Sequence, residues 1–235
     1  MTPVHHALHS AHRWGGTIAT YVPVHAWLDQ SKAAWSDPRH RAFLHHRQGA
    51  ILAALLLLPT TEGPRSTREV AEDHIMEDLG FLPDAKEWLV HLRPKSWMSH
   101  GAMTAEDHAQ ASARRWGGTP ALYLPVHAFL DGDDPSFPVA WARALLHHGM
   151  GIHLALARFG EILRPSPSIV VPVREVLETH IRLDCGTLPS LADWYGRLTV
   201  MPWMFRGSAA DQAVRDLTRQ AQSSQSTIST CKTRS

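Results

Sequence analysis

Between Arg41 and Leu57 the apolar residues Ala42, Ala50 and Ala53 fall on one helical stripe with His46; after Arg143, Ala144, Ile152 and Phe159 do the same with His148. A stripe of this kind faces a core, so both histidines are expected to be buried and to need partners for their ring nitrogens. Helix punctuation extends the pattern to both sides. Residues 4 to 14 read as a short helix closed by Gly15-Gly16, and Thr17 to Val22 as a connector. A second helix begins near Pro23 and carries His25 and Asp29. Asp37-Pro38 opens a long helix running through His45 and His46 to Leu57. A loop covers Pro59 to Arg65, a helix runs from Thr67 to Leu79 and stops at Gly80, and a last helix from Pro83-Asp84 passes Trp88 and Leu92 before Pro94.

The whole pattern then recurs. Arg13-Trp14-Gly15-Gly16 returns as Arg115-Trp116-Gly117-Gly118, Tyr21 to Asp29 as Tyr123 to Asp131, His45-His46 as His147-His148, and His74 to Gly80 as His180 to Gly186. The second copy is longer before its last long helix, where Ile169 to Val173 reads as a short extended piece. Duplication is the organising feature. It predicts an all-α fold of two similar helical-bundle units of about five helices each, related by a pseudo-two-fold, each of a size that can bury a modest core. The expected boundaries are residues 4–98 and 105–206, with a linker over 99–104 and a largely disordered tail over 207–235, where Ser, Thr and Gln replace apolar periodicity.

Composition narrows the function classes. An apolar fraction of 44% and a charged fraction of 19% suit a soluble globular protein. A net charge of +1 argues against a nucleic-acid binder working through bulk charge. The longest apolar run, Ile51 to Leu58, is too short to span a bilayer. The two cysteines, Cys185 and Cys231, form no pairing or zinc-finger pattern, and no leader is visible, so a cytoplasmic protein is expected.

The unusual counts are 17 His and 9 Trp. His25/Asp29, His74/Asp78, His127/Asp131 and His180/Asp184 are each spaced i,i+4, which places imidazole and carboxylate on one helix face. That geometry serves two ligands of one metal ion, and it serves a structural hydrogen bond equally well. With the doublets His45-His46 and His147-His148, each unit offers a candidate ligand set from three helices, as in metal sites of helical bundles. Nitrogen and oxygen donors suit a divalent Zn, Fe, Mn, Ni or Cu. Gly49 and Gly151, one turn beyond His45 and His147, are costly inside a helix and point to a close approach there. His6/His108 with Ser10/Ser112 form a weaker recurring pair. Arg41 and Arg143 are candidate anion-binding residues, although pairing with Asp29, Glu72 or Asp78 explains them as well. Tyr21 and Tyr123 are candidate substrate contacts, and the recurring tryptophans read as packing.

Each copy also resembles a small bacterial and phage family of unknown function, whose members carry R-W-G-G, H-x-W-x-D-x-S-K, R-H-R-A-x-x-H-H, E-x-H-V-x-E-D-L-G and W-M. The first copy matches with Arg13 to Gly16, His25 to Lys32, Arg39 to Ala42 and Glu77 to Gly80. The second lacks the Ser-Lys pair and the Arg-His-Arg start of the third helix. The resemblance implies a tandem, pseudo-dimeric protein, or a homodimer, and no activity.

Two readings follow. One is a metal-dependent enzyme whose His/Asp cluster performs hydrolysis or oxygen chemistry on a small substrate, with an anionic one among the candidates. The other is a non-catalytic binding or regulatory protein, of phage or host-defence type, that engages a protein partner and uses the His/Asp pairs structurally.

Overall fold

The computed structural model describes residues 1–33, 37–57, 65–99, 103–132 and 139–207. The linker positions 100–102, the loop 58–64 and most of the expected tail, 208–235, lie outside these residues. The architecture is all-α apart from one small hairpin.

Helix α1 (Pro3–Trp14) starts from Thr2, whose hydroxyl accepts the His5 N–H, and ends at Gly15, where φ is 81°. Thr17 is the N-cap residue of α2 (Ile18–Asp29). The expected connector over 17–22 is therefore the beginning of α2, and Pro23 lies inside the helix. The proline removes one backbone hydrogen bond, but Tyr21, Val24, His25, Leu28 and Asp29 are buried along the helix and hold it in place.

The long third helix is broken. A 3-10 turn (Pro38–His40) leads into α3 (Arg41–Leu44), the chain leaves helical geometry at His45 and His46, and α4 (Arg47–Leu56) restarts it. His46 is the N-cap of α4: its Nδ1 accepts the Gly49 N–H at 3.0 Å, and its Nε2–H donates to the Phe43 carbonyl at 2.9 Å. Gly49 is required by this break, because a Cβ there would stand 2.0 Å from the Leu44 carbonyl oxygen. The glycine makes room for backbone, and not for a ligand.

Helix α5 (Thr67–Leu79) is capped by a Ser66/Glu69 capping box and closed by Gly80 in the left-handed conformation. Helix α6 spans only Ala85–Leu89, and Leu92 lies beyond it in an isolated antiparallel bridge with Leu198.

The second repeat follows the same plan with α7 (Ala105–Trp116), α8 (Pro120–Asp131), α9 (Val139–Leu146), α10 (Gly149–Phe159), α11 (Val173–Cys185) and α12 (Leu191–Tyr195). The break recurs at His147-His148, where His148 Nδ1 caps Gly151 and a Cβ on Gly151 would meet the Leu146 carbonyl at 1.8 Å. The extra residues form an antiparallel hairpin, β1 (Ile162–Ser166) and β2 (Ile169–Pro172), as the extended reading of 169–173 anticipated.

The repeats are interlocked at their C-terminal ends. Trp97 packs edge-on against Trp194 with ring centres 4.8 Å apart, and Trp203 against Trp88 at 4.5 Å. The Arg93 N–H donates to the Arg197 carbonyl and the Thr199 N–H to the His91 carbonyl. Phe43 lies against His148 and Tyr195 of the other repeat. One buried cluster runs from Ala7 to Met204 through both repeats, so the core is shared between them.

Candidate metal centres

In the first repeat, α2 delivers His25 and Asp29 one turn apart, the α3–α4 break delivers His45, and α5 delivers His74 and Asp78 one turn apart. All five are buried. His45 Nε2 lies 3.1 Å from His74 Nε2, 3.4 Å from an Asp78 oxygen and 3.6 Å from Asp29 Oδ1; His74 Nε2 is 3.8 Å from both carboxylates. The second repeat reproduces the set. His147 Nε2 lies 3.1 Å from His180 Nε2, 3.2 Å from Asp184 and 3.8 Å from Asp131, and His180 Nε2 is 3.2 Å from Asp131 and 3.4 Å from Asp184. Asp29, His45, His74 and Asp78 form one group able to hold a metal ion, and Asp131, His147, His180 and Asp184 form another.

The other candidates fall elsewhere. His46 and His148 cap helices and stand outside both groups, because the break turns the second histidine of each doublet back onto its own backbone. The Tyr21 and Tyr123 hydroxyls donate to the carbonyls of Gly15 and Gly117, closing the α1–α2 and α7–α8 turns away from the histidines. Arg41 and Arg143 are buried, and each donates at 3.0 Å to a carboxylate, Asp78 and Asp184 respectively. An anion clamp is not built from them.

Around each group lies a second layer. His25 Nδ1 is 3.0 Å from His74 Nδ1, and His25 Nε2 is 3.0 Å from the Ser10 hydroxyl. His127, His180 and Ser112 repeat this at 2.9 and 2.9 Å. His6 stacks on His74 with centres 4.0 Å apart, and its nitrogens face Glu77 at 2.5 Å and Asp78 at 3.3 Å. Such partners fix the tautomer and orientation of a ligating imidazole. With His74 Nε2 as a ligand, its Nδ1–H donates to His25, and His25 Nε2–H donates to Ser10. Trp88 and Trp194 belong to this layer too, since their indole N–H groups donate to the His45 and His147 carbonyls at 3.0 Å and pin the breaks.

Glu77 escapes the duplication filter because Leu183 replaces it, and so His108 has Asp184 at 3.1 Å but no carboxylate on its Nδ1. Ser10 and Ser112 carried a weak signal in the sequence, through their spacing from His6 and His108.

Burial and partners set the charges. Burial pushes the His25 pKa down to about 4, assisted by the charge of His6, and that of His147 to about 4. Burial also opposes charge on His6, but hydrogen bonds to Asp78 and Glu77 outweigh it and raise its pKa. Burial opposes ionisation of Asp78 and Asp184, yet their histidine hydrogen bonds hold both carboxyls far below the usual range. Carboxylates facing His45, His74 and His147, whose pKa values burial lowers, make a donor set that suits a divalent cation.

The sequence profile of a family described as Domain of unknown function (DUF6915) matches residues 1–98 and again residues 103–204. The chain belongs to this family. It is a tandem DUF6915 protein, with one His/Asp group in each copy. No curated protein and no solved structure matches it. No helix among the described residues is long and apolar enough to cross a membrane.

The two DUF6915 copies differ around one ligand. Asp29 is 6% exposed and ion-paired to Lys32 at 2.6 Å. The Asp131 side chain is 26% exposed and has no lysine partner among the described residues. His40, buried with its ring edge-on to His45 at 5.9 Å, stands where the second copy has Ala142.

Proposed function

We propose that this chain is a metal-dependent enzyme in which Asp29, His45, His74 and Asp78 bind one divalent transition-metal ion, and Asp131, His147, His180 and Asp184 bind another. The observation that carries the reading is the convergence of four donor atoms in each repeat within 4.8 Å of one another, the His–His and His–Asp pairs at 3.1–3.8 Å. Ligand distances of 2.0–2.2 Å in a tetrahedral site imply donor–donor edges of about 3.3–3.6 Å. The donors are imidazole and carboxylate, so Zn, Fe, Mn, Ni and Cu are the suitable ions. When bound with a fifth position beside the four protein donors, such an ion would lower the pKa of a coordinated water or support oxygen chemistry. The chain's own residues orient it: Arg41 and Arg143 hold Asp78 and Asp184, and His25 and His127 hold the outer nitrogens of His74 and His180. The substrate is a small molecule and the working unit a pseudo-dimeric monomer.

One observation favours a second reading for part of the molecule. The enclosed set around Asp29 resembles a structural metal site, where no ligand position faces solvent, and a binding or regulatory protein needs nothing more.

The test is elemental analysis of untagged protein. Wild type is expected to carry close to two ions per chain, and a folded His74→Ala/His180→Ala variant almost none. A wild-type chain that takes up no ion from Zn, Mn, Fe, Ni or Cu solutions overturns the reading.

A further inference from the structure

A cavity of 360 Å³ lies between the repeats, walled by Phe43, Leu52 and Leu55 of the first and by Phe129, Leu145 and Asp131 of the second. Its volume is within the range of small-molecule sites, and its chemistry is the usual one, an apolar wall with a few polar groups. Asp131 is the polar group that matters, because its Oδ1 stands 3.2 Å from His180 Nε2 and 3.8 Å from His147 Nε2. The apolar cavity therefore ends at a ligand of the second metal group.

The repeats differ here for a reason visible in the chain. Gly132 and Ala142 both line the cavity, and in the register of the duplication they replace Gln30 and His40. His40 is buried beside His45, and Lys32 covers Asp29. His40 and Lys32 close the first group, while Gly132 and Ala142 line the cavity that reaches the second. A catalytic metal keeps a face open to substrate, and a structural one does not.

We infer that only the second group is catalytic, and that it acts on a largely apolar small molecule with a single metal-binding oxygen function, seated in this inter-repeat cavity. The first group holds its ion structurally. This inference rests on the metal-dependent reading above. Leu52 and Leu55 come from the first repeat, so the substrate site needs both copies although the chemistry uses one.

Benzohydroxamate, an aromatic ring on a bidentate metal-binding group, is the probe, titrated calorimetrically into the full chain loaded with zinc. Elemental analysis of the same samples reads the metal and so tests the parent proposal separately. The expected result is two zinc ions but one benzohydroxamate per chain. Ala142→Leu, which narrows the cavity, should weaken binding at least ten-fold with zinc content unchanged. Leu52→Trp, reaching the cavity from the other repeat, should do the same. His40→Ala should leave the affinity of the first equivalent unchanged. Two equivalents per chain in wild type, or affinity indifferent to both cavity variants, overturns the assignment of one working centre. No binding to the zinc-loaded chain overturns the substrate class, and that includes a cavity already covered by another part of the chain.

Discussion

The two repeats hold the same two imidazoles and two carboxylates in nearly the same places, and they part company at one carboxylate. In the first, Lys32 pairs with Asp29 Oδ2 at 2.6 Å, and Asp29 Oδ1 lies 3.6–3.8 Å from the histidines. In the second, Asp131 comes within 3.2 Å of His180 and remains partly exposed. The same contrast shows in the imidazoles. Burial takes the His74 pKa well below its ordinary value, whereas for His180 the hydrogen bonds to Asp131 and Asp184 outweigh burial and raise it. Duplication kept the imidazoles and carboxylates and released their surroundings.

The strongest way to break this comparison is to remove the residues it treats as equal. Asp78→Ala strands Arg41, His6 and His45, and Asp184→Ala strands Arg143, His108 and His147. Each is expected to lose about 3–5 kcal/mol in urea unfolding of the metal-free protein, the cost of leaving buried charges unpaired. A loss below about 1 kcal/mol in either would show that the groups are not equivalent cores. Trp88→Ala and Trp194→Ala should each cost about 3–5 kcal/mol by cavity formation. The loss should come in one transition, since each indole packs on the opposite repeat; two separated transitions would contradict the interlock.

Smaller effects sharpen the comparison. Gly49→Ala and Gly151→Ala should each destabilise by about 1–3 kcal/mol, because the added methyl meets backbone. In an unbroken helix the same change would stabilise by roughly 1 kcal/mol, so the sign measured by thermal melting decides whether the break exists. Lys32→Met should change stability by less than about 1 kcal/mol. Stopped-flow chelation of the zinc-loaded protein should nonetheless show two phases in wild type, with the slow phase quickened in this variant. A single phase in wild type would erase the distinction between closed and open centres.

Much of this was legible in the chain. The i,i+4 pairs His25/Asp29 and His74/Asp78 needed only helices; Gly80 marks the end of one, whereas Pro23, the expected start of the other, lies inside a helix that begins at Ile18. The doublets His45-His46 and His147-His148 were harder. Without Pro or Gly at the break itself, a continuous helix was the natural reading, and it aligned the wrong histidine with the apolar stripe. The one local sign was Gly49, whose purpose depends on a carbonyl that only the fold brings near it. Tyr21 and Tyr123 hydrogen-bond to residues six positions back, which no periodicity predicts. Glu77 was hidden by its replacement with Leu183. The cavity was invisible for a different reason: Gly132 and Ala142 look like drift until two repeats face each other.

The exchange of terminal turns leaves each repeat sealed by a tryptophan of the other. Trp203 finishes the first repeat and Trp97 the second, so a chain cut between residues 99 and 103 yields two fragments, each missing the piece that seals it and each carrying a piece that seals the other. Such fragments are poised to complement one another when mixed. A lone copy has the same remedy in a second identical copy, which supplies the missing turn by mutual exchange. The fused chain turns that bimolecular encounter into an intramolecular one, and it frees each half to change without spoiling a homodimer's symmetry.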